Sequence, residues 1–90
     1  MRALLICAVV LVDIASTSMA FAQSECERLW VARNQIYKDA GYCFKTRRAI
    51  EFFGNAGCQF DRESSVPLSR GERARVARLQ AEERELGCRD

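Results

Sequence analysis

The chain predicts an all-α fold: a small three-helix, disulfide-stapled domain with an extended turn after helix 1 and a long loop before helix 3. Three observations carry this. Apolar residues recur at helical spacing in segments that open on an S-x-x-E box and close on a glycine. An export leader precedes them, so the rest of the chain folds where thiols oxidise. Once the leader is gone, four of the five cysteines are left, an even number in a very short domain.

The leader opens the chain. Arg2 supplies one positive charge, Ala3 to Val12 form an apolar run, small and polar residues follow, and Ala20-Phe21-Ala22 has the A-x-A form of a signal-peptidase site. Residues 1–22 read as a secretory signal, with cutting after Ala20 as the alternative, and residues 23–90 as one domain. The apolar run falls far short of the roughly 20 residues that span a bilayer, and Asp13 interrupts its end. No stable membrane insertion is expected after signal removal, and the protein is expected to be secreted or periplasmic.

Helix 1 is expected from about Glu25 to Asp39 or Ala40. Ser24 and Glu27 form its capping box, and Gly41 supplies the left-handed stop. At 100° per residue Cys26, Leu29, Trp30, Ile36, Tyr37 and Ala40 share one face, with Arg28, Gln35, Lys38 and Asp39 opposite. Tyr42-Cys43-Phe44 is too short for a helix and reads as an extended turn folding back over helix 1. Thr46 caps a short helix 2, Arg47 to Phe53, which is expected to bury Ile50 and Phe53 and to end at Gly54. Asn55 to Leu68 shows no sustained period and reads as a loop tied down by Cys58, with Phe60 and Val66 as further anchors. Ser69 and Glu72 form a second capping box, and helix 3 follows to about Leu86 with a narrow apolar face of Val76, Leu79 and Leu86.

Residues 23–90 fall below the roughly 70–80 at which a hydrophobic core alone supplies more than about 3–5 kcal/mol. Two disulfides among Cys26, Cys43, Cys58 and Cys88 fit that need. A zinc site does not, because there is no C-x-x-C pair and no histidine. No metal and no cofactor is expected. Joining Cys26 to Cys43 would bring together helix ends about 25 Å apart, so two pairings survive. In the nested one Cys43 joins Cys58 and Cys26 joins Cys88, and helices 1 and 3 run antiparallel. In the other, Cys26 joins Cys58 and Cys43 joins Cys88.

The wheel also puts Arg33 in the middle of helix 1's apolar face and Asn34 at its edge. A charge taken from water needs a partner. Asn34 is expected to bond the backbone of the Tyr42–Lys45 turn, and Arg33 to reach carbonyls near the turn and one carboxylate. Helix 3 runs against its own dipole, with Arg70, Arg73, Arg75 and Arg78 early and Glu82, Glu83 and Glu85 late, so compensation from outside the helix is expected. The up-down-up pairing offers Glu25 and Glu27 to the early arginines. The nested pairing brings Glu83 level with Arg33 and closes the shorter loop, and it is preferred for both reasons.

The spacing R-N-x-I-Y followed by G-Y-x-F, here Arg33, Asn34, Ile36, Tyr37, Gly41, Tyr42 and Phe44, resembles the core of the YARHG domain, a family of small extracellular bacterial modules. The likeness covers Leu29 to Thr46 and continues more loosely to Phe53. At the naming pentapeptide, Tyr37-Lys38-Asp39-Ala40-Gly41, only the tyrosine and glycine remain, so no role of the family's arginine or histidine carries over. The resemblance implies fold and location, with no established activity, and the cysteines with the F-G-N-A-G-C continuation look like a disulfide-bearing branch.

For function, composition excludes more than it selects. With 14 Lys and Arg against 12 Asp and Glu, the net charge is +2, which gives weak steering toward nucleic acid or an anionic membrane. There is no histidine, the thiols are expected to be paired, and the carboxylates of Asp61 and Glu63 have no pocket to separate their pKa values, so no enzyme is expected. The leading expectation is a non-catalytic secreted or periplasmic module that binds a protein or cell-envelope component through Tyr42, Phe60, Arg70 and Arg73. The alternative is a secreted inhibitor or effector of a hydrolase acting through the loop at 54–68. A membrane-active peptide is disfavoured by the low net charge.

Overall fold

The structure is a computed structural model describing residues 2–89, with side chains from Ser18 onward. Three α-helices follow in order, α1 (Arg2–Asp39), α2 (Arg47–Phe53) and α3 (Arg70–Glu85), with one 3-10 turn at Glu63–Ser65. The leader's Cys7, its apolar run and Asp13 lie outside the described side chains. No helix among the described residues is long and apolar enough to cross a membrane.

α1 corrects the expected start of helix 1. It runs unbroken from Arg2 through Ser24, so the S-x-x-E box at Ser24–Glu27 does not form. With residues before Ser24 already helical, the amides near Glu27 are satisfied by carbonyls one turn back, and no orphan donor is left to cap. Glu27 instead pairs with Arg48.

The far end of α1 closes by local rules. Gly41 has φ +92°, Tyr42 N–H donates to the Tyr37 carbonyl at 3.0 Å, and Gly41 N–H donates to Lys38 at 3.1 Å. That pair of bonds is the Schellman arrangement, and α3 repeats it at Gly87 with Cys88 N–H to Glu83 O at 2.8 Å and Gly87 N–H to Arg84 O at 3.1 Å. A Cβ on Gly41 would meet the Phe60 ring at 3.4 Å, so position 41 is closed to side chains by both conformation and space.

After Gly41 the chain lies against residues 58–60. The Gly41 carbonyl accepts from Gln59 N–H at 2.7 Å and Phe60 N–H at 3.0 Å, and Cys43 N–H donates to Phe60 O at 2.8 Å. Tyr42 and Phe60 form an isolated parallel bridge. Thr46 caps α2 by accepting from Ala49 N–H at 3.2 Å, and Ser69 and Glu72 form the second capping box in full.

Disulfides join Cys26 to Cys88 and Cys43 to Cys58, with Cα separations of 5.4 and 5.1 Å. Cys26 thus meets the end of α3, and α1 and α3 run antiparallel. Closing loops of 62 and 15 residues removes unfolded-chain entropy equivalent to about 4 and 3 kcal/mol. Together that matches or exceeds what a core of this size supplies.

The core is small and aromatic. Leu29, Trp30, Phe44, Ala49, Val66, Val76 and Leu79 are buried. Rings pass contact from Trp30 to Phe53 (5.6 Å), Phe44 (5.1 Å, stacked), Tyr42 (5.2 Å) and Tyr37 (5.7 Å), leaving α1 and returning to it. Two expected core positions are corrected. Ile50 is 41% exposed, because α2 approaches Trp30 through small Ala49 and, one turn on, Phe53. Leu86 is 42% exposed, because α3 stops at Glu85 and the chain turns back at Gly87 to deliver Cys88; the third buried position on α3 is Glu83.

Candidate functional site

The polar residues inside the fold come first. On the buried face of α1, Arg33 meets Glu83 of α3 in a two-pronged ion pair, Nε to Oε1 at 2.6 Å and Nη2 to Oε2 at 3.1 Å, with both side chains 10% exposed. The antiparallel helices create this contact, because pairing Cys26 with Cys88 brings positions 33 and 83 level. Two parallel charge-assisted bonds are what a desolvated guanidinium requires.

Asn34 does not bond the turn as expected. Its Nδ2 donates to the Trp30 carbonyl at 2.9 Å, within its own helix. The turn is held by Asn55, whose Oδ1 accepts from Phe44 N–H at 2.7 Å and whose Nδ2 donates to Phe44 O at 3.0 Å. The reason is reach: Asn55 follows the α2 stop and lies beside the extended backbone, so its amide pairs both groups of Phe44, while Asn34 sits inside α1, where the Trp30 carbonyl one turn back is nearer. The only sequence signal for Asn55 is its place just after Gly54.

Beside this clamp lies a cleft of about 190 Å³ lined by Trp30, Arg33, Asn34, Tyr42, Phe44, Lys45, Thr46, Arg48, Ala49 and Glu63. Its floor is the core itself. The Arg48 guanidinium covers the Trp30 ring at 3.8 Å from the centroid, and it also pairs with Glu27. Lys45 pairs with Asp61 at 3.1 Å. Burial pushes the Tyr37 and Tyr42 hydroxyls above the usual tyrosine range, and the nearby Glu63 charge adds to this.

The remaining candidates separate. Tyr42 and Phe60 are half-buried and paired through backbone on one edge of the turn. Arg70 and Arg73 are exposed at the start of α3, and Arg73 is close enough to Tyr37 to oppose the rise in its hydroxyl pKa. The compensation expected from outside α3 comes at its acidic end, where Arg33 meets Glu83; among the described residues Arg70, Arg73, Arg75 and Arg78 make no side-chain hydrogen bond or ion pair. Exposed on a solvated helix, they need none, since water screens the unfavourable dipole. Within the capping box, the Ser69 N–H bond to Glu72 holds that carboxyl below its usual range, and the Ser69 hydroxyl adds to this.

The loop at 54–68 is tethered to the rest of the fold. Cys58, the Tyr42–Phe60 bridge and the fully buried Val66 tie it at three points. Among the described residues no group of three or more His, Cys, Asp or Glu is placed to hold a metal ion.

A family model described as the YARHG domain matches residues 8–84, which takes in all three helices and the loop between α2 and α3. No curated protein and no solved structure matches the chain.

Proposed function

The chain belongs to the YARHG domain family, and from that premise we propose that it is a non-catalytic recognition module, exported by cleavage of residues 1–22 and binding a protein or cell-envelope component. One observation carries the reading: the cleft beside the aromatic turn is walled by α1, the turn and α2 and combines aromatic side chains, donors and acceptors. Paired disulfides support an oxidising, extracytoplasmic location. The polar side chains with fixed partners are spent on architecture, with Arg33 on Glu83 and Asn55 on Phe44, which supports a binding role over a catalytic one. Tyr42 contributes to the recognition surface from the cleft wall, and Phe60, Arg70 and Arg73 extend it along the turn and α3.

The hydrolase-inhibitor reading needs the 54–68 loop to reach into another protein's cleft, and a segment tied to its own fold at three points favours the recognition reading over it. The test is cosedimentation of the purified oxidised protein with an isolated envelope fraction. Retention that is lost on reduction and weakened by Tyr42→Ala is expected. A protein that stays in the supernatant in both redox states removes the recognition role.

A further inference from the structure

We propose that the cleft bounded by α1, the Tyr42–Lys45 turn and the start of α2 is a subsite for one neutral sugar ring of a saccharide. The inference deepens the recognition reading above and rests on it. Size comes first. At about 190 Å³ the cleft is smaller than the roughly 300–1,000 Å³ of sites that enclose a drug-sized ligand, so it takes a single ring or side chain of something larger.

The chemistry of the lining then selects the ring. Asn34 is only 8% exposed, and its Nδ2 is committed to the Trp30 carbonyl. Its Oδ1 has no partner among the described residues, yet no side-chain polar atom there is both fully buried and unpaired. That oxygen therefore still reaches solvent, and Asn34 lines the cleft. It is an acceptor that a ligand must answer with a donor or leave stranded. Glu63 is a second acceptor on the rim. Facing them, Lys45 and Arg48 offer donors, and the Thr46 oxygen already accepts from Ala49 N–H, which leaves its proton to give.

Charge and hydrogen bonding together weigh against the rivals. Arg33, Lys45 and Arg48 are each answered by a carboxylate, Glu83, Asp61 and Glu27, and Glu63 adds an acid at the mouth, so the cleft is a poor anion hole. A cationic ligand could use the acceptors but not the Lys45, Arg48 and Thr46 donors, which it would leave unanswered. A purely apolar group would cover the Asn34 oxygen without bonding it. A sugar hydroxyl both donates and accepts, which suits alternating acceptors and donors, and the ring's C–H groups suit the half-buried Tyr42 side chain on the cleft wall.

The experiment is an NMR titration of the ¹⁵N-labelled, oxidised full chain with two neutral trisaccharides, maltotriose and chitotriose, and with sodium sulfate as the anion control. Saturable shifts confined to Asn34, Tyr42, Thr46 and their neighbours are expected for at least one sugar, with a dissociation constant of about millimolar, as about a dozen ligand atoms allow. Glu63→Ala, at an exposed position where folding is not at stake, should weaken binding about tenfold, and Asn34→Ala about fivefold. No saturable shift with either sugar, saturation by sulfate alone, or affinities unmoved in both variants would overturn the proposal. If the protein still cosediments with the envelope while sugars leave its spectrum unchanged, the saccharide assignment fails and the recognition role stands. If wild type does not cosediment, the recognition role fails on its own account.

Discussion

Replacing Arg33 with methionine probes the least ordinary feature of this fold. In the native chain the Glu83 carboxylate, with its side chain 10% exposed, receives the guanidinium at 2.6 and 3.1 Å. Arg33→Met removes that partner and leaves the acid desolvated beside a thioether. Breaking a buried pair from one side costs about 3–5 kcal/mol, whereas an exposed bridge is worth about 0–1. A core of this size supplies only about 3–5 kcal/mol, so the single variant should be close to unfolded apart from the help of its disulfides. The double variant Arg33→Met with Glu83→Met carries no stranded charge and should return to within about 1–2 kcal/mol of wild type. Urea unfolding of the oxidised proteins, followed by far-ultraviolet circular dichroism, closes the double-mutant cycle. A coupling energy of at least about 2 kcal/mol is expected. An Arg33→Met cost under about 1 kcal/mol with an additive cycle would show a screened surface contact and refute the clamp.

Asn55→Ala should cost about 2 kcal/mol, the worth of two ordinary hydrogen bonds, and should speed amide exchange at Phe44, as read by hydrogen-exchange NMR. Tyr37 and Tyr42 should ionise above the usual value near 10, because burial and then the Glu63 charge disfavour their phenolates. Their folded pKa values are raised, so the stability they contribute is complete below the unfolded pKa and is lost as pH climbs toward the folded ones. Absorbance titration at about 295 nm with parallel urea melts checks both. Ser24→Ala should leave the melting temperature of the full chain unchanged, since α1 runs through Ser24, but should cost about 1 kcal/mol in protein cut after Ala22, where the Ser24–Glu27 box is free to form. Equal effects in the two forms would contradict that account.

Much of this architecture is legible in short windows. Gly41 and Gly87 announce two helix ends, and both close with the same pair of backbone bonds. Thr46 and Ser69 announce two helix starts, and both side chains accept the expected amide. The same kind of signal misleads at Ser24, because a cap forms only where the preceding residues leave helical geometry, and here they do not. Helix periodicity put Ile50 and Leu86 in the core, yet a seven-residue helix docks on whichever side lets it come closest, and residue 86 lies past the last turn. The cleft was less legible still. Trp30, Asn34, Phe44, Arg48 and Glu63 come from α1, the turn, α2 and the loop, and no local spacing marks them as neighbours.

By itself, the amino-acid order determined the helical class, the ends of the turns around Gly41 and Gly87, and a set of thiols suited to two crosslinks. These follow from hydrogen bonds and periodicities that span five residues or fewer. Tertiary structure settled the choice between the two disulfide pairings in favour of the one that sets Glu83 against Arg33, and it alone decided that Asn55 and not Asn34 holds Phe44 and that Asn34 lines a cleft. Each of those depends on groups between 11 and 62 residues apart, or on a space left among them, and only the packed antiparallel helices set those distances.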